Sequence, residues 1–205
     1  MAEASDEIAA TAARLVVEDG MEYGAAKRKA ARDLGRRSGR SGRGDKLPSN
    51  EAVEEEVRDY IALFCADTQP GELRALREVA LLWMQRLQEF RPHLGGAVWR
   101  GTATRQSAVL LELYCDDPKS AEITIINAGI NYDVASIDRP GTEPVNVLVV
   151  SSPSTALGEP VTVQLALYDF DDQRGALKPD ARGRSWRGDL AALQRQLTQS
   201  SGEGA

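Results

Sequence analysis

The chain has 205 residues, a net charge of −6 and a hydrophobic share of 42%. This length suits one domain with an appendage or two small domains, and the hydrophobic share is enough for a buried core. The acidic, alanine-rich start argues against a signal peptide, and the apolar runs fall short of the ~20 residues of a membrane span, so we predict a cytoplasmic protein with no membrane partner.

Histidine and cysteine are scarce, which limits the chemistry. The single histidine, His93, and the lack of a G-x-S-x-G motif argue against a histidine-based triad and against a zinc site. Cys65 and Cys115 show neither metal nor redox spacing, so we expect two small buried side chains in a reducing compartment.

Residues 1–35 predict a basic helical hairpin. One amphipathic helix ends at Gly20, and after a short turn a second helix ends at Gly35. Residues 27–46 hold nine Lys or Arg against two Asp, a net charge of +7 that leaves −13 for the remainder of the chain. This uneven charge is the main functional signal of the N-terminal region.

Two interpretations of the basic hairpin differ in function. A tight turn followed by a basic second helix is typical of helix-turn-helix modules, which place that helix in a DNA groove. The alternative is a hairpin that is basic only for solubility, since no third helix is evident behind the first. We favour contact with nucleic acid. The candidate binding residues are Lys27, Arg28, Lys29, Arg32, Arg36, Arg37, Arg40, Arg43 and Lys46.

Residues 36–47 predict a flexible, positively charged linker, because Gly, Ser and Arg leave little to bury. Such a segment can contact phosphate backbones without sequence preference. A solvated spacer is the alternative.

Two amphipathic helices follow the linker. The first begins at Ser49 or Asn50 and runs to about Ala66, with apolar residues at the spacing of one buried face. The second begins at Pro70 and runs to about Phe90. Only a few residues join them, so we predict an antiparallel hairpin.

A glycine turn and an apolar strand, residues 93–117, come next. Gly96-Ala97-Val98-Trp99-Arg100-Gly101-Thr102-Ala103 precedes Ser107-Ala108-Val109-Leu110-Leu111. This segment resembles the DNA-polymerase-β-like nucleotidyltransferase superfamily, whose pattern reads G-S-x-x-R-G-x-A and then S-D-x-D-hydrophobic. The resemblance implies a nucleotide phosphate site, whose residues here are Gly95, Gly96, Arg100, Gly101 and Ser107.

The departures from the family pattern fall where its chemistry would be. In the family the serine contacts phosphates and the two aspartates bind magnesium ions; here these residues are Ala97, Ala108 and Leu110. A third aspartate is expected on a later strand, where Gln164 stands. Two-metal phosphoryl transfer needs those carboxylates to hold the cations. We therefore expect a related fold that has no metal site and no cofactor.

One alternative keeps the chemistry. Side chains alternate along a strand, so Ala108, Leu110, Glu112 and Tyr114 share a face. Glu112 would point where the missing aspartates would have pointed, and Asp116 follows it. These two acids could form a shifted magnesium site, whereas the simpler interpretation is a glutamate that faces solvent.

The remaining chain alternates turns with further elements. Asp117 caps a helix, and Asp189 begins a last helix that runs to about Leu197. A basic, glycine-broken segment before that last helix is expected on the surface. Three strands lie between, at 131–137, 145–152 and 161–168.

Together these elements predict an α+β protein in which a small mixed sheet of nucleotidyltransferase-like form packs with helices. Its predicted parts are a helical hairpin (1–35), a basic linker (36–47), the α+β domain (48–198) and a disordered tail (199–205). The predicted function is a non-catalytic binding or regulatory protein that contacts nucleic acid or a ribonucleoprotein. An active, magnesium-dependent nucleotidyltransferase and a purely protein-binding module are the alternatives.

Overall fold

The computed structural model of the chain separates into two compact units. The helical unit contains Met1–Pro70 and Thr102–Ser107, and the sheet unit contains Gly71–Gly101 and Ala108–Ala205. Most of the predicted linker lies outside the described residues. The structure describes residues 2–37, 47–137, 143–180 and 183–202.

Three helices share the core of the helical unit. Helix α1 is Ala2–Asp19, α2 is Tyr23–Arg37 and α3 is Asn50–Phe64. Small alanines on α1 and α2 are buried in this core, and Val53 and Val57 of α3 are fully buried there with them. The first two helices lie near their predicted positions, but α2 runs through Gly35 to Arg37 and so passes the predicted stop. Helix α3 supplies the third helix that was not evident from the sequence.

The predicted pairing of α3 with the helix that follows it is wrong. Apolar residues at helical spacing determine which face of α3 is buried but not which element covers that face. In the structure this face packs in the core with α1 and α2. Helix α3 therefore belongs to the helical unit, although the sequence grouped it with the sheet.

A left-handed glycine makes the turn between α1 and α2. Gly20 has a φ of +65°, and a Cβ there would lie 2.5 Å from the carbonyl oxygen of Gln106. The loop 102–107 is bonded to the same region, because Thr104 Oγ1 donates to the carbonyl of Val17 at 3.1 Å. The turn and this loop therefore hold each other in place.

The sheet unit contains five strands, β1 His93–Gly95, β2 Val109–Cys115, β3 Tyr132–Ile137, β4 Val145–Ser152 and β5 Val161–Asp169. They form one sheet in the order β1-β2-β5-β4-β3. Strands β2 and β5 are parallel, and the other neighbours are antiparallel. The predicted α+β class with a small mixed sheet is confirmed.

Further helices belong to the same unit as this sheet. They are α4 (Gln69–Arg86), α5 (Gly96–Arg100), α6 (Pro118–Asn127), α7 (Gln173–Ala176) and α8 (Leu190–Gly202). Trp83 of α4 and Ile125 of α6 are buried. Helix α8 continues to Gly202, into the segment that the sequence predicted to be a disordered tail. Among the described helices, none combines the length and the apolar character that a bilayer crossing requires.

Candidate functional site

The glycine turn lies between β1 and α5. Strand β1 pairs antiparallel with β2, which sets Gly95 opposite Leu110. Gly96 then starts α5 with a φ of +65°, and Gly101 ends it with a φ of +82°. Both values lie in the left-handed region, where glycine pays no steric penalty. Gly96 and Gly101 therefore allow the backbone conformations at the two ends of α5.

The sheet face beside this turn carries two positions that the resemblance assigns to carboxylates. Strands β2 and β5 are parallel, with Leu110 directly beside Gln164, and Val149 of β4 is the next residue across. Leu110 and Val149 pack on a small apolar cluster of this face. The two positions are thus neighbours, but their side chains are a hydrocarbon and an amide.

Glu112 points to the same region and already has partners. Its side chain is buried, Arg187 Nε donates to Oε2, and the Tyr114 hydroxyl donates to the same oxygen at 2.7 Å. The other carboxylate oxygen faces Gly95, where a Cβ would lie 3.7 Å from it. The bare glycine backbone leaves room for the carboxylate beside the turn, and the guanidinium neutralises its charge.

The pKa values of Tyr114 and Arg187 are both raised in this cluster. Burial, and then the hydrogen bond and charge of Glu112, raise the pKa of the Tyr114 hydroxyl far above its ordinary value. Burial alone would lower the pKa of Arg187, but the hydrogen bond to Glu112 and the neighbouring negative charges together outweigh burial and raise it. Near neutral pH, Tyr114 therefore keeps its proton and Arg187 keeps its charge, and both donate hydrogen bonds to Glu112.

A C-terminal segment, 183–188, brings Arg187 to this position. Gly188 and Leu94 exchange two backbone hydrogen bonds of 2.8 and 3.0 Å. Trp99 Nε1 donates to the carbonyl of Ser185 at 2.9 Å. A Cβ on Gly188 would overlap the Trp99 ring. The segment is therefore packed closely against β1 and α5.

Sequence reasoning missed Arg187. Its segment has the same basic, glycine-broken composition as residues 36–47, and it was therefore expected to lie on the surface. The signal that could have found it is Glu112, an acid in a strand that is otherwise apolar. A buried carboxylate requires a cation or several donors, and so predicts a basic partner elsewhere in the chain.

Two further residues of the predicted phosphate site have local roles. The Arg100 guanidinium lies 5.5 Å from the centre of the Trp186 ring, within the range of a cation–π contact. Ser107 Oγ accepts a hydrogen bond of 3.1 Å from the Thr104 backbone N–H, inside the helical unit. Both side chains are thus engaged with the fold.

The residues of this face do not fit a magnesium ion. Asp116, the second acid of the shifted-site alternative, is exposed and lies 3.8 Å from Arg91. Within the described ranges, no three His, Cys, Asp or Glu side chains come together. Magnesium prefers oxygen ligands that are free to bind it. Here Glu112 is held by Arg187 and the neighbouring positions offer no second carboxylate.

Two of the basic residues of α2 are bonded within the fold. Lys27 Nζ donates to the carbonyl of Pro48 at 3.0 Å and to Asn50 Oδ1 at 2.8 Å, which ties α2 to the start of α3. Lys29 Nζ lies 3.4 Å from a carboxylate oxygen of Asp19. These lysines therefore contribute to the packing of the helical unit.

Two arginines of α2, unlike these lysines, are not held by acidic side chains of the described residues. Arg28 and Arg32 are exposed, and neither makes an ion pair with another described residue. The predicted binding residues Arg36 and Arg37 form the last two positions of α2. The remaining three, Arg40, Arg43 and Lys46, lie outside the described residues.

Comparison with known proteins finds matches among solved structures but not among family models or curated proteins. The structure of Cid1 with the UTP analogue UMPNPP is 13% identical, over 73% of this chain and 41% of that one, with a TM-score of 0.34. A cytoplasmic RNA terminal U-transferase is 14% identical over the same shares, with a TM-score of 0.33.

Both proteins are nucleotidyltransferases, the superfamily that the glycine-turn segment resembles. This chain spans only 41% of their length. Such scores describe a partial likeness in fold. What this chain binds or does has to be argued from its own residues.

Proposed function

We propose that this chain is a non-catalytic, nucleotidyltransferase-like binding or regulatory protein whose partner is nucleic acid or a ribonucleoprotein. One observation carries the first half of this proposal. Leu110 and Gln164 stand where the resemblance places metal ligands, and the buried acid beside them, Glu112, is neutralised by Arg187. Two-metal transfer depends on carboxylates that hold the cations, and this face offers none that is free.

The second half rests on the charge of the N-terminal region. Residues 27–46 carry a net charge of +7 in a chain of net charge −6. Lysines and arginines that neutralise phosphates release counterions, which drives binding without sequence preference. Arg28 and Arg32 are exposed for such contacts. Two free thiols, one of them buried, fit the reducing cytoplasm.

A transfer assay tests the non-catalytic half. The full chain is incubated with magnesium or manganese, each labelled nucleoside triphosphate, and mixed RNA and DNA acceptors, and we expect no transfer. Robust transfer that Glu112→Gln abolishes, while the exposed control Glu78→Gln retains it, would overturn this half in favour of the shifted acidic site.

A salt titration tests the binding half. Removal of the N-terminal region is unsuitable, because α3 shares its core with α1 and α2. We would instead change to Gln seven cations of the basic region and leave the bonded Lys27 and Lys29 unchanged. The seven are Arg28, Arg32, Arg36, Arg37, Arg40, Arg43 and Lys46.

The unaltered chain should bind mixed-sequence nucleic acid with a log-affinity against log-salt slope of about −4, as neutralisation of about five phosphates predicts. The seven-fold variant should lose most of this slope while its thermal unfolding stays unchanged. Equal and weakly salt-dependent binding by both proteins would reject nucleic acid and favour the protein-binding module.

A further inference from the structure

The outer face of α2 differs from the remainder of the helix. At 3.6 residues per turn, six positions lie on the side opposite the buried Tyr23, Ala26 and Ala30. The single acid of α2, Asp33, is outside this set. The six are Gly24, Ala25, Arg28, Arg32, Gly35 and Arg36.

This composition suits close approach to a polyanion. Gly24, Ala25 and Gly35 have small side chains or none, so the helix backbone can approach a ligand closely on this face. Arg28 and Arg32, one turn apart, project from that surface and have no acid partner among the described residues. Their guanidinium groups are forked donors that match phosphate oxygens and base edges.

The helix is also mounted rigidly. It is joined to α1 by a turn of three residues, 20–22, whose glycine is left-handed. On its inner side it is packed in the core with α1 and α3, and Lys27 bonds it to Asn50. A short turn and a second helix backed by a three-helix core is the geometry with which helix-turn-helix proteins present a helix to DNA.

The type of nucleic acid follows from the same face. Proteins that hold single strands stack bases on exposed aromatic rings, and the one aromatic residue of α2, Tyr23, is buried. A-form RNA has a major groove too deep and narrow for side chains to read. The major groove of B-DNA, about 12 Å wide, admits an α-helix.

We propose that α2 binds in the major groove of double-stranded DNA through this outer face, with Arg28 and Arg32 as its main contacts. The inference rests on the nucleic-acid contact proposed above and assigns that contact to a helix face and a partner.

The test compares matched variants of the full chain. Arg28→Ala with Arg32→Ala removes the two contacts, and Arg174→Ala with Lys178→Ala removes two exposed charges from the sheet unit. A third variant, Arg40→Gln with Arg43→Gln and Lys46→Gln, neutralises the segment after α2. Each protein is titrated with one sequence as a DNA duplex, an RNA duplex and a DNA single strand, at several salt concentrations.

We expect the unaltered chain to bind the DNA duplex more tightly than the other two forms. The α2 variant should bind it about tenfold or more weakly, and its salt slope should fall in magnitude by about 2. The control pair in the sheet unit should stay within about twofold. Thermal unfolding by circular dichroism checks the helices, and Arg28→Gln with Arg32→Gln replaces the alanines if these lower the melting temperature.

Each other outcome overturns the proposal in a recognisable way. If the α2 variant binds normally and the 40–43–46 variant does not, the contact lies after α2, and the proposed function stands while this inference fails. Tighter binding of the single strand or of the RNA duplex rejects the major-groove contact. Weak, salt-independent binding by every protein rejects the nucleic-acid function itself.

Discussion

Arginines of the two units have opposite environments. In the sheet unit, Arg187 lies against the buried Glu112 and also donates to the carbonyl of Ala176 at 3.1 Å. In the helical unit, Arg28 and Arg32 extend into solvent with no acid partner among the described residues. A buried charge must be paired or it destabilises the fold, whereas an exposed charge costs nothing when left unpaired. The first setting is structural, and the second is available to a ligand.

The same difference guides how Glu112, the buried acid beside the glycine turn, is interpreted. Glu112 lies close to the place where a nucleotidyltransferase would need a carboxylate, and from the sequence it suggested a surviving site. In the structure Glu112 is instead paired with Arg187 beside the glycine turn. An acid near such a position therefore suggests a metal site only when its charge is not already neutralised.

The largest expected effect comes from Arg187→Ala, which leaves Glu112 buried without its cation. We expect a loss of roughly 3 kcal/mol of unfolding free energy, as for other broken buried pairs. Urea unfolding followed by tryptophan fluorescence measures it, because all three tryptophans, Trp83, Trp99 and Trp186, lie in the sheet unit.

The paired replacement sharpens this prediction. Glu112→Met together with Arg187→Met removes both charges and should recover most of the loss. If Arg187→Ala unfolds at the same urea concentration as the unaltered chain, the ion pair contributes little, and the contrast between paired and unpaired arginines fails.

Gly20→Ala should have the next largest effect, about 2 kcal/mol, on the helical unit. An alanine is strained in this left-handed backbone conformation, and its Cβ would collide with the carbonyl of Gln106. Gly158→Ala is the matched control, since Gly158 has a φ of +69° and no atom within 4 Å of the added Cβ. It should cost only about 1 kcal/mol. Far-UV circular dichroism follows both, and equal losses would show that the collision is relieved.

The two cysteines give a smaller effect with a defined pH range. Burial raises the pKa of Cys115 to about 11, from an ordinary 9.0. Between those values the unfolded chain releases a proton that the folded chain keeps, so the stability of the sheet unit should fall as the pH rises from 9 to 11. We expect a contribution on the order of 1 kcal/mol that Cys115→Ala removes.

Alkylation checks the same thiols independently. At pH 8 iodoacetamide should modify the half-buried Cys65 readily and Cys115 only when the sheet unit opens. Mass spectrometry of peptides after timed quenching distinguishes them. Comparable rates would mean that β2 is far more accessible than its burial indicates.

The smallest effect separates the basic residues of α2 from one another. Lys27→Met breaks the bonds to Pro48 and Asn50 and should lower the stability of the helical unit by less than about 1 kcal/mol, with nucleic-acid affinity changed less than twofold. Arg28→Met should instead leave the stability of the helical unit unchanged and weaken the binding of nucleic acid. If both change the affinity equally, charge alone decides binding and the two groups of cations are equivalent.

Much of the fold follows from local sequence patterns. Strands β3, β4 and β5 lie within a residue of their predicted bounds, because apolar periodicity and turn residues act over a few positions. The glycine turn was also legible, since a left-handed backbone at Gly96 and Gly101 restricts the residue type. The departures from the resembled pattern at Ala108, Leu110 and Gln164 could be read from the sequence alone, because they concern only which residue stands at each position.

Tertiary structure alone decided which elements and charges meet. The apolar face of α3 could have packed on either neighbour, and only the folded chain places it with α1 and α2. Arg187 and Glu112 are 75 residues apart, and Trp99 and Ser185 are 86 apart. No local pattern connects residues at such separations, because the free energy that pairs them comes from burial in the finished core. For the same reason, the sequence gives the number of cations in α2, but only the structure shows that Lys27 and Lys29 are bonded. Arg28 and Arg32 have no acid partner among the described residues.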